Sequence, residues 1–445
     1  MTQIARIAAF SVLWIGLFPA LAEPEAGLGA AALKASWTQY GPGGILEARA
    51  VVEGETCPTL TQDLELAPMQ PRAAKSKDFA LVCTAQISAR TRQAALVFAG
   101  DAQKGGKIVV PLALPASEPQ RILVLGDTGC RIKGSTVQDC SDPAAWPFPQ
   151  LSAAAARLRP DLVIHVGDFL YRESPCPVDF KGCQGTPYGD NWPTWDVDFF
   201  APAAPLMTAA PWVILRGNHE DCARAGAGFL RLLGPTAYDP VVPCTDHLSP
   251  YAVPLKGLNL VVSDNANAPE TSLNDKLVAT YSAEFAALAK EPSPSWWLMH
   301  RPIWGLITGP LGIPAGGNLN LMASVGEEGV PAPVALMLAG HIHTFEAINY
   351  QGKHVPPQIV AGHGGDLLDP TPANLKGAVF QGSYGVSVKD GISIGGFGFL
   401  LMTKMGDSWT IDVYDAQGRP ERQCRFAKGR VDCPVPVNLK RRRVP

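Results

Sequence analysis

The pattern of hydrophobic and polar positions changes once along the chain, between Pro111 and Pro119. Before this point, short apolar segments rich in β-branched or aromatic residues are separated by Gly, Pro and polar clusters, as in ILEARAVVEG, DFALVCTAQI and AALVFAG. Short strands between frequent turn residues are typical of all-β structure. We therefore predict a small all-β domain over residues 23–117.

After this point, apolar runs of strand length alternate with helical patterns, which predicts βαβ units. The strand candidates are RILVLGD, DLVIHVGD, WVILRGNH, LNLVVSDN, WWLMHRP, VALMLAGHIH and PQIVAGHGG, and the helix candidates are residues 150–158, 223–233 and 281–290. We predict an α/β domain over residues 118–435, a layered β-sheet sandwich flanked by helices. The Gly- and Pro-rich stretches 172–195 and 304–333 are interpreted as long surface loops.

The first 22 residues have the features of a secretory signal peptide. They carry one charge, at Arg6, followed by an apolar stretch from Ile7 to Phe18 and the small-x-small sequence Ala20-Leu21-Ala22. The apolar stretch is too short to span a bilayer, although a membrane anchor is the alternative. The sequence therefore predicts a periplasmic or secreted protein with no stable membrane span.

Composition and charge narrow the choice of partners. The chain has 445 residues, of which 47% are hydrophobic and 17% charged, as expected of a globular protein. Loss of Arg6 with the signal peptide would change the net charge from −3 to −4, so no broad basic surface indicates nucleic acid as a partner. The short basic tail, residues 436–445, is interpreted as a solvated end, with contact to anionic lipid as the alternative. The oligomeric state stays open.

The ten cysteines fall into sequence neighbours, which suggests five local disulfides in an exported protein. Because the chain has no C-x-x-C pair, a thiolate zinc site is the weaker interpretation. Sequence alone does not fix the connectivity. The simplest pairing is Cys57/Cys83, Cys130/Cys140, Cys176/Cys183, Cys222/Cys244 and Cys424/Cys433.

Polar side chains follow the apolar runs in the second region. Taken singly, each has an ordinary explanation as a turn residue, a cap or a core histidine. Together, Asp, Asn, His and Tyr at one edge of successive strands form a mixed oxygen and nitrogen ligand set, which predicts a metal site. The residues are Asp127 in GDTG, Asp168 and Tyr171 in GDFLY, Asn218 and His219 in GNHE, His300 in MHRP, and His341 and His343 in GHIH.

This ordered series resembles the motifs of the calcineurin-like metallophosphoesterases, over roughly residues 120–400. Most of that superfamily has D-x-H at the first motif, whereas this chain has Gly129 at the third position. The purple acid phosphatase branch replaces the lost imidazole with the tyrosine of the second motif, and Tyr171 makes the chain look most like that branch. The all-β domain is similar, by position and strand texture alone, to the fibronectin-like sandwich of large enzymes in the branch.

The resemblance implies two metal ions. In the family, the first ion is Fe³⁺ and the second is Fe²⁺, Zn²⁺ or Mn²⁺. A phenolate with carboxylates suits a trivalent ion, and an amide with imidazoles suits a divalent one. By position, the first ion would take Asp127, Tyr171 and His343, the second would take Asn218, His300 and His341, and Asp168 would bridge both.

The implied activity is hydrolysis of small phosphate monoesters at acidic to neutral pH, by water that the metal ions activate. The alternatives are a phosphodiesterase acting on nucleotides or lipids, and a non-catalytic exported binding protein. His219 is carried over as the proton donor to the leaving group, with a structural histidine as the alternative. Plant members have further histidines after the fifth ligand, but this chain has none between His300 and His341, so His363 and His247 are also candidates. Arg301 could bind phosphate or form a surface ion pair.

Overall fold

The computed structural model describes residues 33–99 and 107–434 of the chain. The predicted signal peptide at 1–22 and the basic tail at 436–445 lie outside the described residues. Within the described residues, no helix has the length and apolarity needed to cross a bilayer.

The region before residue 117 is built of strands. The strands are Leu33–Tyr40 (β1), Leu46–Val52 (β2), Thr59–Gln62 (β3), Glu65–Pro68 (β4), Gln70–Ala73 (β5), Leu81–Ile87 (β6), Ala94–Ala99 (β7) and Lys107–Pro111 (β8). Burial does not alternate strictly along them, since β2 is buried over nearly its whole length and β1 over its last four residues.

The rest of the chain contains eighteen further strands among the described residues. They are Arg121–Leu125 (β9), Ile132–Lys133 (β10), Thr136–Val137 (β11), Leu162–His165 (β12), Trp212–Ile214 (β13), Tyr251–Leu255 (β14), Leu258–Val262 (β15), Ser295–Leu298 (β16), Leu306–Thr308 (β17), Pro314–Gly316 (β18), Val334–Ala339 (β19), Phe345–Gln351 (β20), Gln358–Ala361 (β21), Ser387–Ile394 (β22), Gly398–Met405 (β23), Ser408–Asp415 (β24), Pro420–Ala427 (β25) and Arg430–Asp432 (β26).

Helices connect or cover these strands. The α-helices are Phe148–Arg157 (α1), Trp192–Trp195 (α2), Ala201–Met207 (α3), Gly226–Leu232 (α4), Asp275–Leu288 (α5) and Leu319–Val325 (α6). A five-residue π-helix, Asp196–Phe200, joins α2 to α3. Short 3₁₀ turns occur at Pro42–Gly44, Lys181–Cys183, Asn218–Glu220 and Pro310–Gly312.

Two large mixed sheets form the body of the protein. The first has eleven strands in the order β26-β25-β24-β23-β9-β12-β13-β1-β2-β6-β5, and the second has seven in the order β14-β15-β16-β19-β21-β20-β22. Strands β9, β12 and β13 are parallel neighbours in the first sheet, as are β15, β16, β19 and β21 in the second. Their carboxyl ends lie at the edge where such sheets bind ligands.

The two sheets pack face to face, and helices cover their outer faces. Along β9, Ile122 and Val124 join a core cluster that also contains residues of the second sheet, whereas Leu123 and Leu125 join a cluster with α1 and α3. A third cluster places the outer face of the second sheet against α5 and α6. The four layers confirm the predicted layered α/β sandwich.

The amino-terminal strands divide between two sheets. Strands β1, β2, β5 and β6 extend the first large sheet through one parallel pair of residues, Gln39 and Trp212. Strands β3, β4, β7 and β8 form a separate four-stranded sheet. The all-β texture of this region is therefore confirmed, and the domain boundary at residue 117 stays a prediction.

All five predicted disulfides form with the predicted pairing, and no cysteine is left free. Because disulfides persist only where thiols are not kept reduced, the framework indicates an oxidising compartment.

The two stretches interpreted as surface loops contain regular structure. Residues 304–333 hold the β17–β18 hairpin and helix α6, and residues 172–195 end in helix α2. Proline made this helical segment hard to predict, since Pro193, Pro202 and Pro205 lie within α2 and α3.

Candidate metal centre

Each predicted ligand follows a strand of the parallel core. Asp127, Asp168 and His341 lie two or three residues beyond β9, β12 and β19, and all three have left-handed backbone conformations, with φ of 57°, 59° and 69°. Such a conformation costs a non-glycine residue about 1–3 kcal/mol and persists only where the surroundings enforce it. The backbone turns sharply after each strand and directs the side chains toward a common point.

Where a glycine precedes a predicted ligand, the position must be glycine because no room is left there for a side chain. A Cβ atom at Gly217 would lie 2.0 Å from Oδ1 of Asp168, and one at Gly340 would lie 2.6 Å from Oδ2 of Asp127. The GD, GN and GH pairs of the sequence therefore have a physical cause, because the strand ends approach too closely for any side chain before the ligand.

One candidate cluster contains Asp127, Asp168 and His343, whose ligand atoms all lie within 4.8 Å of one another. The phenol oxygen of Tyr171 lies 3.2 Å from Oδ1 of Asp127, 2.9 Å from Oδ2 of Asp168 and 3.2 Å from Nε2 of His343. The four side chains are buried. They form an oxygen-rich set of the kind that hard cations prefer.

The other candidate cluster contains Asp168, His300 and His341, again within 4.8 Å. Nε2 of His300 lies 3.2 Å from Oδ2 of Asp168 and 3.0 Å from Oδ1 of Asn218. Because Asp168 belongs to both clusters, the buried Asp and His residues are consistent with a dinuclear metal site. The donor set fits such a pair, since one side is rich in oxygen and the other in nitrogen.

Hydrogen bonds fix the orientation of the three imidazoles. Nδ1 of His300 donates to the carbonyl oxygen of Val166 at 2.8 Å, and Nδ1 of His343 donates to that of Leu367 at 2.6 Å. Nε2 of His341 contacts the carboxylate of Glu270. In each ring the other nitrogen stays available for an ion, which is the usual arrangement around metal-ligating histidine.

The electrostatic field at the first cluster is strongly negative. Although burial lowers the pKa of the His343 imidazole, the carboxylates of Asp366 and Asp127 raise it to about 10. Burial, followed by the charges of Asp168 and Asp127, raises the pKa of the Tyr171 phenol well above its usual value. A site that holds a proton on imidazole and keeps phenol from ionising is one where a metal cation would be strongly favoured.

Tyr171 occupies the space that a histidine at position 129 would need. A Cβ atom at Gly129 would lie 2.8 Å from the Tyr171 ring, 2.8 Å from Oδ2 of Asp198 and 2.6 Å from the carbonyl oxygen of Phe169. Glycine at the first motif and tyrosine at the second are therefore two parts of one packing arrangement.

Two buried carboxylates that sequence reasoning missed hold the loop carrying Asp168 and Tyr171. Glu220 accepts backbone hydrogen bonds from Asp168, Phe169 and Leu170 at 2.8–3.2 Å. Asp198, in the π-helix, accepts from the backbone of Tyr171 at 2.7 Å. The GNHE motif contains Glu220, which could have been found by its position, whereas no local pattern marks Asp198.

His219 projects into the same site. Its Nδ1 lies 2.5 Å from Oε1 of Glu173, and its ring lies against that of Tyr171 with 3.9 Å between centroids. Although burial raises the pKa of Glu173, the contact with His219 lowers it to about 2. Arg224 also approaches Glu173, at 3.4 Å. A carboxylate therefore lies against Nδ1 of His219, although the two groups do not meet at hydrogen-bonding angles.

The clusters open onto a cavity of about 510 Å³. Residues of the segments 264–280 and 303–333 contribute to its wall, whereas no residue of 172–200 does. The lining residues are Arg131, Asp168, Asn218, His219, Glu270, Thr271, Pro302, Gly305, Ile307, Ala315, Gly316, Gly317, Asn318, His341, Ile342, His343 and Asp369.

The remaining histidines lie elsewhere. His165 is a core residue, buried and stacked on Phe169 with 3.9 Å between ring centroids. Neither His247, which pairs with Glu284 at 2.7 Å, nor the buried His363 lines the cavity. Arg301 contacts Glu270 at 2.8 Å and His341 at 2.9 Å, so its ion pair lies beside a predicted ligand.

Disulfides close loops beside three of the predicted ligands. Cys222 lies four residues beyond Asn218, and its bond to Cys244 closes a loop of 22 residues. By limiting the conformations of the unfolded chain, such a bond stabilises the folded protein by about 2–4 kcal/mol. We expect the paired change Cys222→Ser and Cys244→Ser to weaken metal retention and turnover more than the paired change of Cys424 and Cys433 to Ser. Both variants are compared at a temperature where circular dichroism shows them folded. Equal losses of metal and turnover in the two would show that these disulfides stabilise the fold in general and have no particular effect on the metal site.

Comparisons with known proteins agree with this geometry. The sequence profile described as calcineurin-like phosphoesterase matches residues 120–345. The fold is similar to that of a purple acid phosphatase from yellow lupin (Lupinus luteus) seeds, with a TM-score of 0.55, 15% identity, and 87% of this chain and 73% of that chain covered. It is also similar to PhoD, with a TM-score of 0.51, 10% identity and 92% of each chain covered. At these identities the likeness concerns the fold alone. No curated protein sequence gives a significant match.

Proposed function

The chain belongs to the calcineurin-like phosphoesterase family, and we propose that it is an exported phosphatase that hydrolyses phosphate monoesters with two metal ions. The observation that carries this proposal is the pair of Asp and His clusters that share Asp168 beside an open cavity. Two adjacent cation sites at a cavity wall suit the displacement of one phosphate oxygen by another.

The residues would divide between the ions as follows. Asp127, Tyr171 and His343 would hold Fe³⁺, and Asp168 would bridge the two ions. The second ion would be Fe²⁺, Zn²⁺ or Mn²⁺, because an amide and neutral imidazoles suit a borderline divalent cation. Its ligands would be Asn218, His300 and His341.

When bound, the ions would polarise a phosphoryl oxygen and lower the pKa of a water molecule. The water oxygen forms a bond to phosphorus as the bond to the ester oxygen breaks, and the departing alkoxide takes a proton. His219 lines the cavity, with Nε2 4.0 Å from Oδ2 of Asp168, and would supply that proton. The products are inorganic phosphate and an alcohol.

One observation and one prediction support export. The five disulfides indicate an oxidising compartment. The predicted signal peptide at residues 1–22 would direct the chain to the periplasm or out of the cell. We propose that the enzyme acts there on small phosphorylated substrates.

Hydrolysis of p-nitrophenyl phosphate and of bis-p-nitrophenyl phosphate, with and without chelator, tests the proposal. We expect turnover of the monoester that chelator abolishes and added metal restores. Faster turnover of the diester would identify a phosphodiesterase, and hydrolysis of neither by protein shown to contain two metal equivalents would overturn the enzymatic proposal.

Glu173 offers a test of the role of His219. In Glu173→Gln, the imidazole loses its charged neighbour but the side chain keeps its size, so we expect kcat for an alkyl phosphate to fall by about tenfold or more. Turnover of p-nitrophenyl phosphate should fall less, because p-nitrophenolate leaves without a proton donor. Metal content and KM should change little.

Glu284→Gln is the matched control, since Glu284 also pairs with a histidine, His247, but neither residue lines the cavity. It should leave both substrates unaffected. Equal losses for the alkyl and the nitrophenyl substrate in Glu173→Gln would show that Glu173 supports the loop rather than proton transfer.

A further inference from the structure

Arg131 is a cation of the cavity wall that no sequence motif marked. Among the described residues, it is the only arginine or lysine that lines the cavity, where the other charged groups are carboxylates and imidazoles. Its guanidinium carbon lies 5.0 Å from the centroid of the Tyr171 ring. A permanent positive charge is therefore placed beside the first candidate cluster.

One edge of the Arg131 guanidinium is fixed by the protein. Nε lies 3.1 Å and 3.0 Å from the two oxygens of Asp366, and Nη2 also contacts Asp366. Asp366 is fully buried, and its backbone nitrogen donates to the carbonyl oxygen of Asp127 at 3.0 Å. The arginine is thus tied to the loop that carries a predicted ligand.

The backbone of Arg131 is fixed as well. Its nitrogen donates to Oε1 of Gln138 at 3.1 Å, and the nitrogen of Gln138 donates to the Arg131 carbonyl oxygen at 2.8 Å. The disulfide between Cys130 and Cys140 closes the same loop. An arginine held in this way loses little further freedom when it binds a ligand.

The other edge of the guanidinium is free. Nη1 of Arg131 makes no hydrogen bond to any described residue, and the side chain keeps 19% of its surface exposed. Guanidinium can engage two oxyanions along two edges, and Nη1 with the second hydrogen of Nη2 matches a pair of phosphate oxygens.

We infer that Arg131 binds the terminal oxygens of the substrate phosphate and selects monoesters over diesters, an inference that rests on the proposed phosphoesterase function. A monoester has three terminal oxygens that share up to two negative charges, whereas a diester has two that share one. The free edge of the Arg131 guanidinium would bind the additional terminal oxygen and the additional negative charge that a monoester has and a diester lacks.

Arg131→Gln tests this assignment. Loss of a charge-assisted hydrogen-bonded pair is expected to lower kcat/KM for p-nitrophenyl phosphate by about 10- to 100-fold, with a change of about threefold or less for bis-p-nitrophenyl phosphate. Calorimetric titration of the metal-loaded protein with inorganic phosphate should show a similar loss of affinity. Arg131→Lys keeps the positive charge but loses the paired donors of the guanidinium. Its kcat/KM for p-nitrophenyl phosphate and its phosphate affinity should lie between those of Arg131→Gln and those of the natural protein.

Removing Arg131 alone would leave the buried Asp366 carboxylate without its arginine partner, with Nδ1 of His343 nearby at 3.4 Å, so the double variant Arg131→Gln with Asp366→Asn is measured beside it. Arg49→Lys is the matched control, because Arg49 is a buried, carboxylate-paired arginine that does not line the cavity. Metal analysis and thermal unfolding verify that each variant is loaded and folded.

The outcomes separate the two proposals. If the natural protein hydrolysed neither ester, but Arg131→Gln weakened its binding of phosphate, the proposed phosphatase activity would be refuted. The assignment of Arg131 as a phosphate-binding residue would then still hold. Equal losses for monoester and diester in folded, metal-loaded Arg131→Gln, or an unchanged phosphate affinity, would overturn the assignment of Arg131 while leaving the enzyme in place.

Discussion

In Asp168→Ala, we expect both metal ions to be lost together and monoester turnover to fall by about three powers of ten or more. Asp168 is the residue common to the two clusters. Its Oδ2 lies 2.9 Å from the Tyr171 phenol oxygen and 3.2 Å from Nε2 of His300. Its removal would therefore withdraw one negative charge from both sites at once.

The same carboxylate has a second role that alanine would also abolish. Oδ1 of Asp168 accepts a hydrogen bond from the backbone nitrogen of His219 at 2.8 Å, which joins the GNHE turn to the first sheet. Asp168→Asn keeps an oxygen able to accept this bond, so it separates the loss of charge from the loss of the turn. We expect the asparagine variant to fold like the natural protein yet to bind metal poorly.

Asn218→Ala provides the comparison, because Asn218 approaches His300 at the second cluster alone. Elemental analysis of this variant should show about one metal equivalent retained per chain, since each single ligand contributes to one ion. A full complement of two equivalents in Asp168→Ala, or equal losses in the two variants, would contradict the bridging role.

The sequence predicted which side chains come together at the candidate site because strand ends and their order are local properties. Apolar runs such as LVIH specify a buried strand, and parallel strands in one sheet bring their carboxyl ends to one edge. The glycine before each ligand was visible as well. Its cause was not, because the collision of a Cβ at Gly217 with Asp168 involves two segments that lie some fifty residues apart.

The supporting shell could not be predicted in the same way. Asp198 reaches the Tyr171 backbone from a π-helix, and Arg131 pairs with Asp366 across 235 residues of sequence. Such contacts depend on how loops pack, and the polar residues that make them resemble ordinary surface positions in sequence. The same limit applies to β1, which the sequence pattern did not single out as a strand and which extends the first large sheet.

The two histidines of the GHIH motif, His343 and His341, differ in the charged groups that surround them. His343 lies beside Asp366 and Asp127, which raise its pKa, whereas burial and then Arg301 lower the pKa of His341 to about 4. His343 thus faces a strongly negative field, whereas His341 lies between the Arg301 cation and the Glu270 carboxylate and its pKa is lowered chiefly by burial. The two imidazoles therefore have different electrostatic surroundings.

Tyr171 permits a direct test of that asymmetry. The phenol oxygen lies within 3.2 Å of Asp127, Asp168 and His343, and burial raises the phenol pKa, so a strongly charged cation is needed to hold the phenolate. Ferric iron bound by phenolate absorbs visible light through charge transfer. The iron-loaded natural protein should therefore be coloured, and Tyr171→Phe should lose the band completely.

The fold should survive this change, because phenylalanine keeps the ring that fills the space above Gly129 and only the oxygen is removed. Affinity at the first site should drop by about 10- to 100-fold, while the second ion stays bound. Tyr350→Phe is the matched control, since Tyr350 is also buried but donates its hydroxyl to the carbonyl oxygen of Trp304, away from the clusters. If the visible band persisted in Tyr171→Phe, or disappeared in Tyr350→Phe, the phenolate would not be a ligand and the negative field at His343 would need another partner.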